Sequence, residues 1–267
     1  MNTSLHRGTA LITGASSGIG AVYADRLARS GYDLILVARR ADKLRALAED
    51  LTNRTGRSVE TLAADLTDPA GVAKVEAVLK HDASITMLVN NAGIGATAPL
   101  LQSDIGAMER LIALNVNVVT RLAYAVAPAF VARGDGTIVN IASVVAIAPE
   151  LLNGVYGGSK AYVLAFTQSL HHELSDKGVR VQAVLPGATK TDFWEISGKP
   201  VDELPQEIVM SATDMVDASL KGLELGEVVT IPAVPAGEFN AWESARKAIA
   251  PKLSSTTPAA RYAVAAK

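Results

Sequence analysis

The chain contains no cysteine, which excludes disulfides, thiolate nucleophiles and cysteine-ligated metals within it. It has only 4 histidines, and none of them follows His172. Its formal net charge is −2, so it lacks the basic surplus that proteins use to bind nucleic acid. We therefore expect no metal site and no nucleic-acid partner.

Long apolar runs without charge are missing as well. The first residues, MNTSLHRGTALITG, hold no apolar stretch long enough for a signal peptide. Residues 84–103 carry no charged side chain, but Asn90, Asn91, two glycines and a proline disfavour a membrane span there. Hydrophobic residues make up 49% of the 267 positions and charged residues 19%, as in globular proteins. These patterns predict a soluble cytoplasmic protein with no membrane partner.

Short apolar segments alternate with amphipathic segments along most of the chain. Strands are predicted at 9–13, 33–38, 58–64, 86–90, 137–143, 179–186 and 227–232. Helices are predicted at 18–30, 43–53, 69–81, 104–133, 156–176 and 212–224, with Asp42 as the cap of the second. Apolar strands that alternate with helices are typical of a doubly wound α/β fold, whose parallel sheet has helices on both faces. We expect one domain over 1–250 and a tail over 251–267 with at most one short helix.

The turn after the first predicted strand reads TGASSGIG, residues 13–20. Glycines let the backbone approach a ligand closely. The N-terminus of the following helix offers free N–H groups and the positive end of the helix dipole to a diphosphate. The turn therefore predicts a nucleotide phosphate site. Its candidate binding residues are Gly14, Ser16, Ser17, Gly18 and Ile19.

The same turn also matches G-x-S-x-G, the nucleophile elbow of α/β-hydrolases, with Ser16 as the nucleophile. That alternative needs an acid and then a histidine at loop ends further along the chain. His81, His171 and His172 instead fall within predicted helices. The first strand would also have no preceding strand to supply an oxyanion donor. A serine hydrolase is therefore the weaker interpretation.

The end of the second predicted strand distinguishes two nucleotide cofactors. An acid at this place binds the adenosine ribose 2′-hydroxyl of NAD, whereas an arginine accommodates the 2′-phosphate of NADP. Here the strand ends in Ala38, and Arg39 and Arg40 follow. Guanidinium groups make charge-assisted hydrogen bonds to phosphate. We therefore expect NADP(H), with an NAD-dependent alcohol dehydrogenase as the alternative.

Taken together, these motifs resemble those of the short-chain dehydrogenase/reductases of the shorter, single-domain type. The resemblance covers about residues 7–232 and implies a Rossmann fold with seven parallel strands. It also implies hydride transfer between NADP(H) and a carbonyl compound or secondary alcohol, and assembly into a homotetramer or homodimer. The motifs that carry it are TGASSGIG (13–20), Asp65-Leu66, NNAG (90–93), Asn115, Ser143, Tyr156-x-x-x-Lys160 and Pro186-Gly187.

The resemblance implies a role for each matching residue. Tyr156 would be the general acid in reduction and the general base in oxidation, and Ser143 would hydrogen-bond the substrate oxygen. Lys160 would hold the nicotinamide ribose, and Asn115 would hold a water that relays protons. A cation one helical turn from a tyrosine stabilises its phenolate, so we expect Lys160 to lower the Tyr156 pKa. The remaining cofactor contacts would come from Asp65, Leu66, Asn91, Ala92, Gly93, Pro186, Gly187, Thr189 and Thr191.

The substrate side is less well determined. Two segments, 144–155 and 188–210, would border the carbonyl pocket. Their apolar side chains predict an apolar or mixed pocket under a mobile lid. A nucleotide-binding regulator without activity remains an alternative, although the catalytic positions are intact. The pocket candidates are Ser143, Val145, Leu152, Phe193 and Trp194.

Two glycines separate Tyr156 from Lys160 in the segment YGGSK. The family often carries alanine or serine at these positions, so Gly157 and Gly158 depart from its pattern. Glycine costs about 1 kcal/mol relative to alanine inside a helix. We expect the pair near the start of a helix, where this cost is small. The slim backbone would leave room beside the cofactor or a neighbouring subunit.

Overall fold

The computed structural model describes residues 7–262 of the chain. These residues divide into two compact units, and the boundary along the chain falls between Pro232 and Ala233. The expected extent of the domain, 1–250, remains a prediction, and residues 263–267 of the expected tail lie outside the described part. The second unit contains one α-helix, Ala236–Ile249, and ends in a short 3-10 turn, Ala260–Tyr262.

The first unit is built on strands that are mostly apolar and buried. Apart from β7 and β8, which pair only with each other, these strands form one parallel sheet of seven strands. The strands are β1 (Thr9–Thr13), β2 (Asp33–Ala38), β3 (Val59–Ala63), β4 (Ile85–Asn90), β5 (Gly136–Ile141), β6 (Val179–Val184), β7 (Thr189–Lys190), β8 (Met210–Ser211) and β9 (Val229–Thr230).

The strand order in the sheet is β3-β2-β1-β4-β5-β6-β9. This order confirms the doubly wound Rossmann fold. The direction of winding reverses between β1 and β4, and in such sheets ligands bind in the crevice outside the carboxyl ends of the strands at that reversal. The small β7–β8 pair was not predicted from the sequence.

Helices cover both faces of the sheet. Buried side chains of α1, α2 and α8 form one core cluster, and those of α3, α5 and α6 form the other. The helices are α1 (Gly18–Arg29), α2 (Ala41–Thr55), α3 (Pro69–His81), α4 (Ile105–Ile112), α5 (Val119–Arg133), α6 (Gly154–Leu174), α7 (Phe193–Ile196), α8 (Ala212–Glu224) and, in the second unit, α9 (Ala236–Ile249).

Side chains cap the starts of α3, α4, α6 and α8. The Asp68 carboxylate accepts the backbone N–H of Ala70 at 3.1 Å and caps α3, and Pro69 occupies its first position. In α2 the cap position is Arg40, so the prediction that Asp42 caps this helix was wrong. Asp42 lies in the first turn instead, where a carboxylate interacts favourably with the helix dipole.

The helical stretch from Ile105 to Arg133 is long and apolar enough to cross a membrane by length and composition alone. The sequence search for uncharged runs did not detect it. Half of its most apolar window is buried inside the protein, and α5 packs on α3, β4 and β5. Leu122, Val126 and Phe130 of α5 belong to the core cluster on that face of the sheet. The stretch is therefore a core helix of the α/β layer.

A buried chain of polar side chains fixes α6 over the sheet. Asn90 Nδ2 donates to Asn140 Oδ1 at 2.9 Å, which joins the ends of β4 and β5. Asn140 Nδ2 in turn donates to Thr167 Oγ1 of α6 at 3.0 Å. Because losing the partner of a buried polar group is costly, these bonds favour one position of α6 relative to the two strands, although Asn90 Oδ1 itself is buried without a partner.

The start of α6 is set by Asn153. Its side-chain oxygen accepts the backbone N–H groups of Val155 at 2.8 Å and Tyr156 at 3.4 Å. The helix therefore begins at Gly154, two residues earlier than expected. Gly157 and Gly158 lie at the end of its first turn, where Gly158 is exposed and Gly157 is buried.

Replacing Gly158 with alanine is expected to raise the free energy of unfolding by about 0.5–1 kcal/mol. A Cβ at this position would meet no atom within 4 Å, so alanine fits without strain. Chemical denaturation measures the gain, and the kinetics of the expected carbonyl reduction should not change.

Gly157→Ala is the matched control for this substitution. A Cβ on Gly157 would lie 3.2 Å from Pro149 Cβ, so the neighbour must shift and the gain should be smaller. If Gly158→Ala brought no gain, or altered the kinetics, the slim backbone between Tyr156 and Lys160 would have a role.

Candidate active site

Hydrogen bonds join the loops that leave β1 and β4 at the reversal of the sheet. Asn91 Nδ2 donates to the carbonyl oxygens of Thr13 at 2.9 Å and Gly14 at 3.2 Å. Thr13 Oγ1 accepts the backbone N–H groups of Asn91 and Ala92, both at 3.0 Å. The sequence did not identify Thr13 as a site residue. The available signal was a hydroxyl at the end of an otherwise apolar strand.

The glycine-rich turn leaves the start of α1 open. Gly14 and Gly18 adopt φ angles of 65° and 55°, in the left-handed region that glycine enters without steric cost. Ser17 is the cap residue of α1, but its side chain makes no capping hydrogen bond, and the first turn holds no acidic residue. The first N–H groups of α1 are therefore left for a ligand or solvent, which suits an anion such as a diphosphate.

Other predicted cofactor residues surround this turn. A Cβ placed on Gly18 would lie 3.1 Å from Thr191 Cγ2, so Thr191 packs against the start of α1. Thr189 Oγ1 donates to the carbonyl oxygen of Gly187 at 3.2 Å, which shapes the chain after β6. A Cβ on Gly187 itself would meet no atom within 4 Å. Ser16, Ser17 and Ile19 are each half-buried on the turn.

The end of β2 carries two exposed guanidinium groups, those of Arg39 and Arg40. Asp65, after β3, accepts the backbone N–H of Thr67 at 2.9 Å and its hydroxyl at 2.7 Å. These bonds lower the pKa of Asp65, and the charge of Arg39 lowers it further. Leu66 beside it is buried. The structure thus places the residues predicted to contact the adenosine part of the cofactor after the neighbouring strands β2 and β3.

Asn115 joins the loop after β4 to α6. It lies in a six-residue π-helical segment, Ala113–Val118, between α4 and α5, which the sequence did not predict. Its Oδ1 accepts the backbone N–H of Ile94 at 3.0 Å, and its Nδ2 donates to the Ile94 carbonyl oxygen at 2.9 Å. The same Nδ2 donates to Ser159 Oγ at 3.2 Å. Ser159, which the sequence analysis did not single out, lies between Tyr156 and Lys160.

Tyr156 and Lys160 lie on one buried face of α6, with 5% and 6% of their surfaces exposed. Lys160 Nζ is 5.8 Å from the centroid of the Tyr156 ring. It also donates to the carbonyl oxygen of Ile141, the last residue of β5, at 2.9 Å. A Cβ on Gly93 would lie 3.6 Å from Lys160 Nζ, so the NNAG loop passes directly beside the ammonium group.

Burial controls the titration of both residues. It raises the pKa of Tyr156 to about 12, although a hydrogen bond with Ser143 opposes the shift. It lowers the pKa of Lys160 to about 8. Desolvation of the buried phenol outweighs the effect of Ser143, so the pKa of Tyr156 lies above its usual value. The expectation that Lys160 lowers this pKa stays a prediction.

Ser143 follows β5 and reaches both Tyr156 and the chain after β6. Its Oγ donates to the carbonyl oxygen of Pro186 at 3.3 Å and accepts the N–H of Val145 at 3.4 Å. The same side chain lies beside the Tyr156 hydroxyl and lowers its pKa. Two hydroxyl groups and one ammonium group thus converge at the carboxyl edge of the sheet, an arrangement suited to moving a proton at an oxygen atom.

An apolar wall borders these polar groups. Tyr156 and Val145 pack with the partly buried side chains of Leu152 and Phe193 in one cluster. The rings of Phe193 and Tyr156 have centroids 6.0 Å apart. Trp194 is buried, and its Nε1 donates to the Thr189 carbonyl oxygen at 3.0 Å, so this side chain fastens α7 to β7. Across residues 7–262, no group of three or more metal-ligating side chains comes together.

Comparison with known protein families gives a direct match. A family model described as short chain dehydrogenase matches residues 8–200, which is more than half of the chain. The chain belongs to the short-chain dehydrogenase family. The matched segment holds Asn115, Ser143, Tyr156 and Lys160 and ends beyond α7.

Individual relatives of this short-chain dehydrogenase agree with the assignment. Serine 3-dehydrogenase of Agrobacterium fabrum is 37% identical over 188 residues, which cover 70% of this chain and 74% of the relative. A short-chain dehydrogenase from Sphingobium yanoikuyae, solved in complex with NADPH, is 49% identical, with a TM-score of 0.92 over 96% of this chain and 100% of its own. The bulky-bulky ketone specific alcohol dehydrogenase of Comamonas testosteroni is 43% identical, with a TM-score of 0.87 over 96% of this chain and 98% of its own.

Replacing Lys160 with methionine in this short-chain dehydrogenase is expected to raise the free energy of unfolding at neutral pH by about 1–3 kcal/mol, because a buried charge is removed. The Lys160 pKa is about 8 in the folded protein and 10.5 ordinarily, so the unfolded chain binds more protons between these values. The destabilising contribution of Lys160 therefore shrinks from pH 8 to 10.5, and the advantage of the variant shrinks with it. Chemical denaturation at several pH values measures both effects.

Lys74→Met is the matched control for this prediction. Lys74 Nζ also donates to a carbonyl oxygen at a strand end, that of Ala63 at 3.2 Å, but its side chain is exposed. Its removal should leave stability nearly unchanged, with no trend between neutral and alkaline pH. A Lys160→Met protein no more stable than the original at neutral pH would contradict the prediction.

Proposed function

We propose that this protein is an NADPH-dependent reductase of ketones or aldehydes, which also runs the reverse oxidation of secondary alcohols. The observation that carries the proposal is the convergence of Ser143, Tyr156 and Lys160 beside the glycine-rich turn. Two similar proteins support it, since one was solved with NADPH and another is specific for bulky ketones.

The residues at the carboxyl edge of the sheet fit NADP(H). The open start of α1 and the close-approach backbone at Gly14 and Gly18 suit the diphosphate. Arg39 and Arg40 follow Ala38 where an NAD-specific site would have an acid, and they suit a 2′-phosphate. NADPH, when bound, supplies the hydride for the carbonyl carbon.

In this proposal, side chains of the protein itself transfer the proton to the substrate oxygen. The raised pKa of Tyr156 keeps its hydroxyl protonated at neutral pH, ready to donate to the substrate oxygen. The Ser143 hydroxyl, which donates to the Pro186 carbonyl oxygen, would turn to donate a hydrogen bond to the same substrate oxygen as negative charge develops there. Lys160 is charged below a pH of about 8 and stabilises the phenolate that remains. Asn115 and Lys160 then return a proton to Tyr156 through bound water.

We further propose a cytoplasmic enzyme that assembles into a homotetramer or homodimer. The helical stretch Ile105–Arg133 and α6 support an assembly surface, because large apolar side chains are exposed on both. Tyr124 of α5 is 71% exposed, and Tyr162 of α6 is 36% exposed. The Tyr162 hydroxyl also hydrogen-bonds Thr120 of α5 at 2.7 Å, so the two helices present one continuous surface.

An NADPH-oxidation screen over ketones, aldehydes and oxo-acids tests the proposed function. With the best substrate, Tyr156→Phe is expected to lower kcat by about a hundredfold or more, because the general acid is lost. NADPH affinity, measured by fluorescence titration, should stay within about twofold, since the packing of the ring is kept. Full turnover by Tyr156→Phe would remove this residue from the mechanism, and a blank screen with intact NADPH binding would contradict the reductase.

Arg39→Ala tests the choice of cofactor. The variant is expected to weaken NADPH binding about tenfold or more, the value of a charge-assisted hydrogen bond, and to leave NADH binding within about twofold. Arg45→Ala, which removes an exposed arginine of α2, is the control for the change in net charge. An equal loss of both cofactors on Arg39→Ala would show that Arg39 does not contact the 2′-phosphate.

A further inference from the structure

The loop after β4 and the short helix α7 meet at a glycine. A Cβ placed on Gly95 would overlap Phe193 Cζ and Ser197 Oγ, and it would lie 2.9 Å from Phe193 Cε1. Contacts this short do not occur at real Cβ atoms, so any larger residue at position 95 would displace α7 or its aromatic ring. Neither the family motifs nor the glycine-rich turn includes this residue.

Two residues further along the loop, a hydrogen bond also joins it to the end of α7. Thr97 Oγ1 donates to the carbonyl oxygen of Ser197 at 2.8 Å. The Ser197 hydroxyl is buried and donates to the Phe193 carbonyl oxygen at 2.7 Å, which holds the last turn of α7 together. Thr97 therefore fastens the end of α7, while Gly95 provides the space for its aromatic ring.

The loop itself is fixed to the catalytic body at both ends. Asn115 bonds the backbone N–H and carbonyl of Ile94, as described above. Asn153, the cap of α6, donates from Nδ2 to the Ala98 carbonyl oxygen at 2.6 Å. Because α6 carries Tyr156, the segment from Ile94 to Ala98 is a platform whose position is set by the helix of the proposed proton donor.

Phe193 lies between this platform and Tyr156. Its Cζ and Cε1 atoms lie next to Gly95. The centroid of its ring is 6.0 Å from that of the Tyr156 ring. Tyr156 and Val145 are buried and belong to the cluster against which Phe193 packs, so packed side chains oppose a shift of the ring toward them. We therefore expect an added Cβ at position 95 to push α7 outward and to widen the space beside Tyr156.

We propose that Gly95 and Thr97 are positioning residues that set the width of the substrate pocket through Phe193. They hold the ring against Tyr156 and thereby determine how large a substituent a carbonyl compound can place there. The inference rests on the proposed reductase activity for its kinetic consequence. The geometry of the latch, meaning the contacts of Gly95 and Thr97 with α7, stands apart from that activity.

Kinetics with a small and a large ketone test the width of the pocket. Gly95→Ala is expected to lower kcat/KM for butanone about tenfold and that for acetophenone much less, because a widened pocket fails to orient the small ketone. Thr97→Val keeps the side-chain volume and loses one hydrogen bond. The ratio of kcat/KM for butanone to that for acetophenone should therefore fall about threefold in this variant. NADPH affinity should stay within about twofold in both variants, because neither residue belongs to the proposed cofactor site.

Gly237→Ala and Thr52→Val are the matched controls, since the first adds a Cβ in open space and the second replaces an exposed threonine of α2. Phe193→Leu together with Ser197→Ala in the Gly95→Ala protein supplies a rescue, because the two changes remove the ring atoms and the hydroxyl that the new Cβ would overlap. The ratio of kcat/KM for butanone to that for acetophenone in this triple variant should equal that of the Phe193→Leu/Ser197→Ala protein. An unchanged ratio in Gly95→Ala, or no rescue, would overturn the proposal.

A fluorescence measurement tests the latch without any substrate. The chain has 2 tryptophans, so a Trp242→Phe background leaves Trp194 of α7 as the only one. Acrylamide quenching of Trp194 should increase in Gly95→Ala and Thr97→Val and stay constant in the two controls, because the buried indole becomes accessible when α7 loosens. Unchanged quenching would overturn the latch. If no ketone were reduced but quenching increased, the proposed function would fail while the latch held.

Discussion

The side-chain amide of Asn115 holds the catalytic face together. It satisfies both backbone groups of Ile94 and reaches Ser159 between the two ionisable residues of α6. Unpaired buried backbone groups are costly, so the loop after β4 has one favourable position while this amide is in place. The NNAG loop, the π-helical segment and the helix of Tyr156 therefore share one reference point, and the distances between them follow from it.

The site keeps the buried charge of Lys160 at a position where packing alone would favour an apolar side chain. Lys160 is almost fully buried, its ammonium group donates a hydrogen bond to the Ile141 carbonyl oxygen, and desolvation lowers its pKa. A hydrophobic side chain of similar volume would pack there at less cost. The family nevertheless uses lysine at this position, and in the proposed mechanism the ammonium group stabilises a phenolate that water cannot reach. Part of the protein's stability is thus given up to hold a cation beside Tyr156.

The sequence predicted the sheet well because its signal is local. The apolar runs at 9–13 and 33–38 match β1 and β2 residue for residue, since strands buried on both faces read as continuous apolar segments. The misses depend on tertiary context. Asn153 caps α6 only because a loop of 3-10 turns brings it there, and the π turn has no sequence signature. The Tyr156 pKa follows from burial, which spacing along a helix does not reveal.

The same contrast explains why the reaction class can be inferred while the substrate cannot. The proposed cofactor groups and Ser143 lie after the strands β1 to β6, whose registers are fixed by core packing on both faces, and Tyr156 and Lys160 lie on α6, which packs on the same sheet. The substrate wall instead depends on α7, a helix of 4 residues held by Trp194 on one side and Thr97 on the other. A segment attached by a few bonds can change its side chains without disturbing the core. In our proposal, substrate choice depends on contacts such as that of Gly95 with Phe193, which only the folded chain shows.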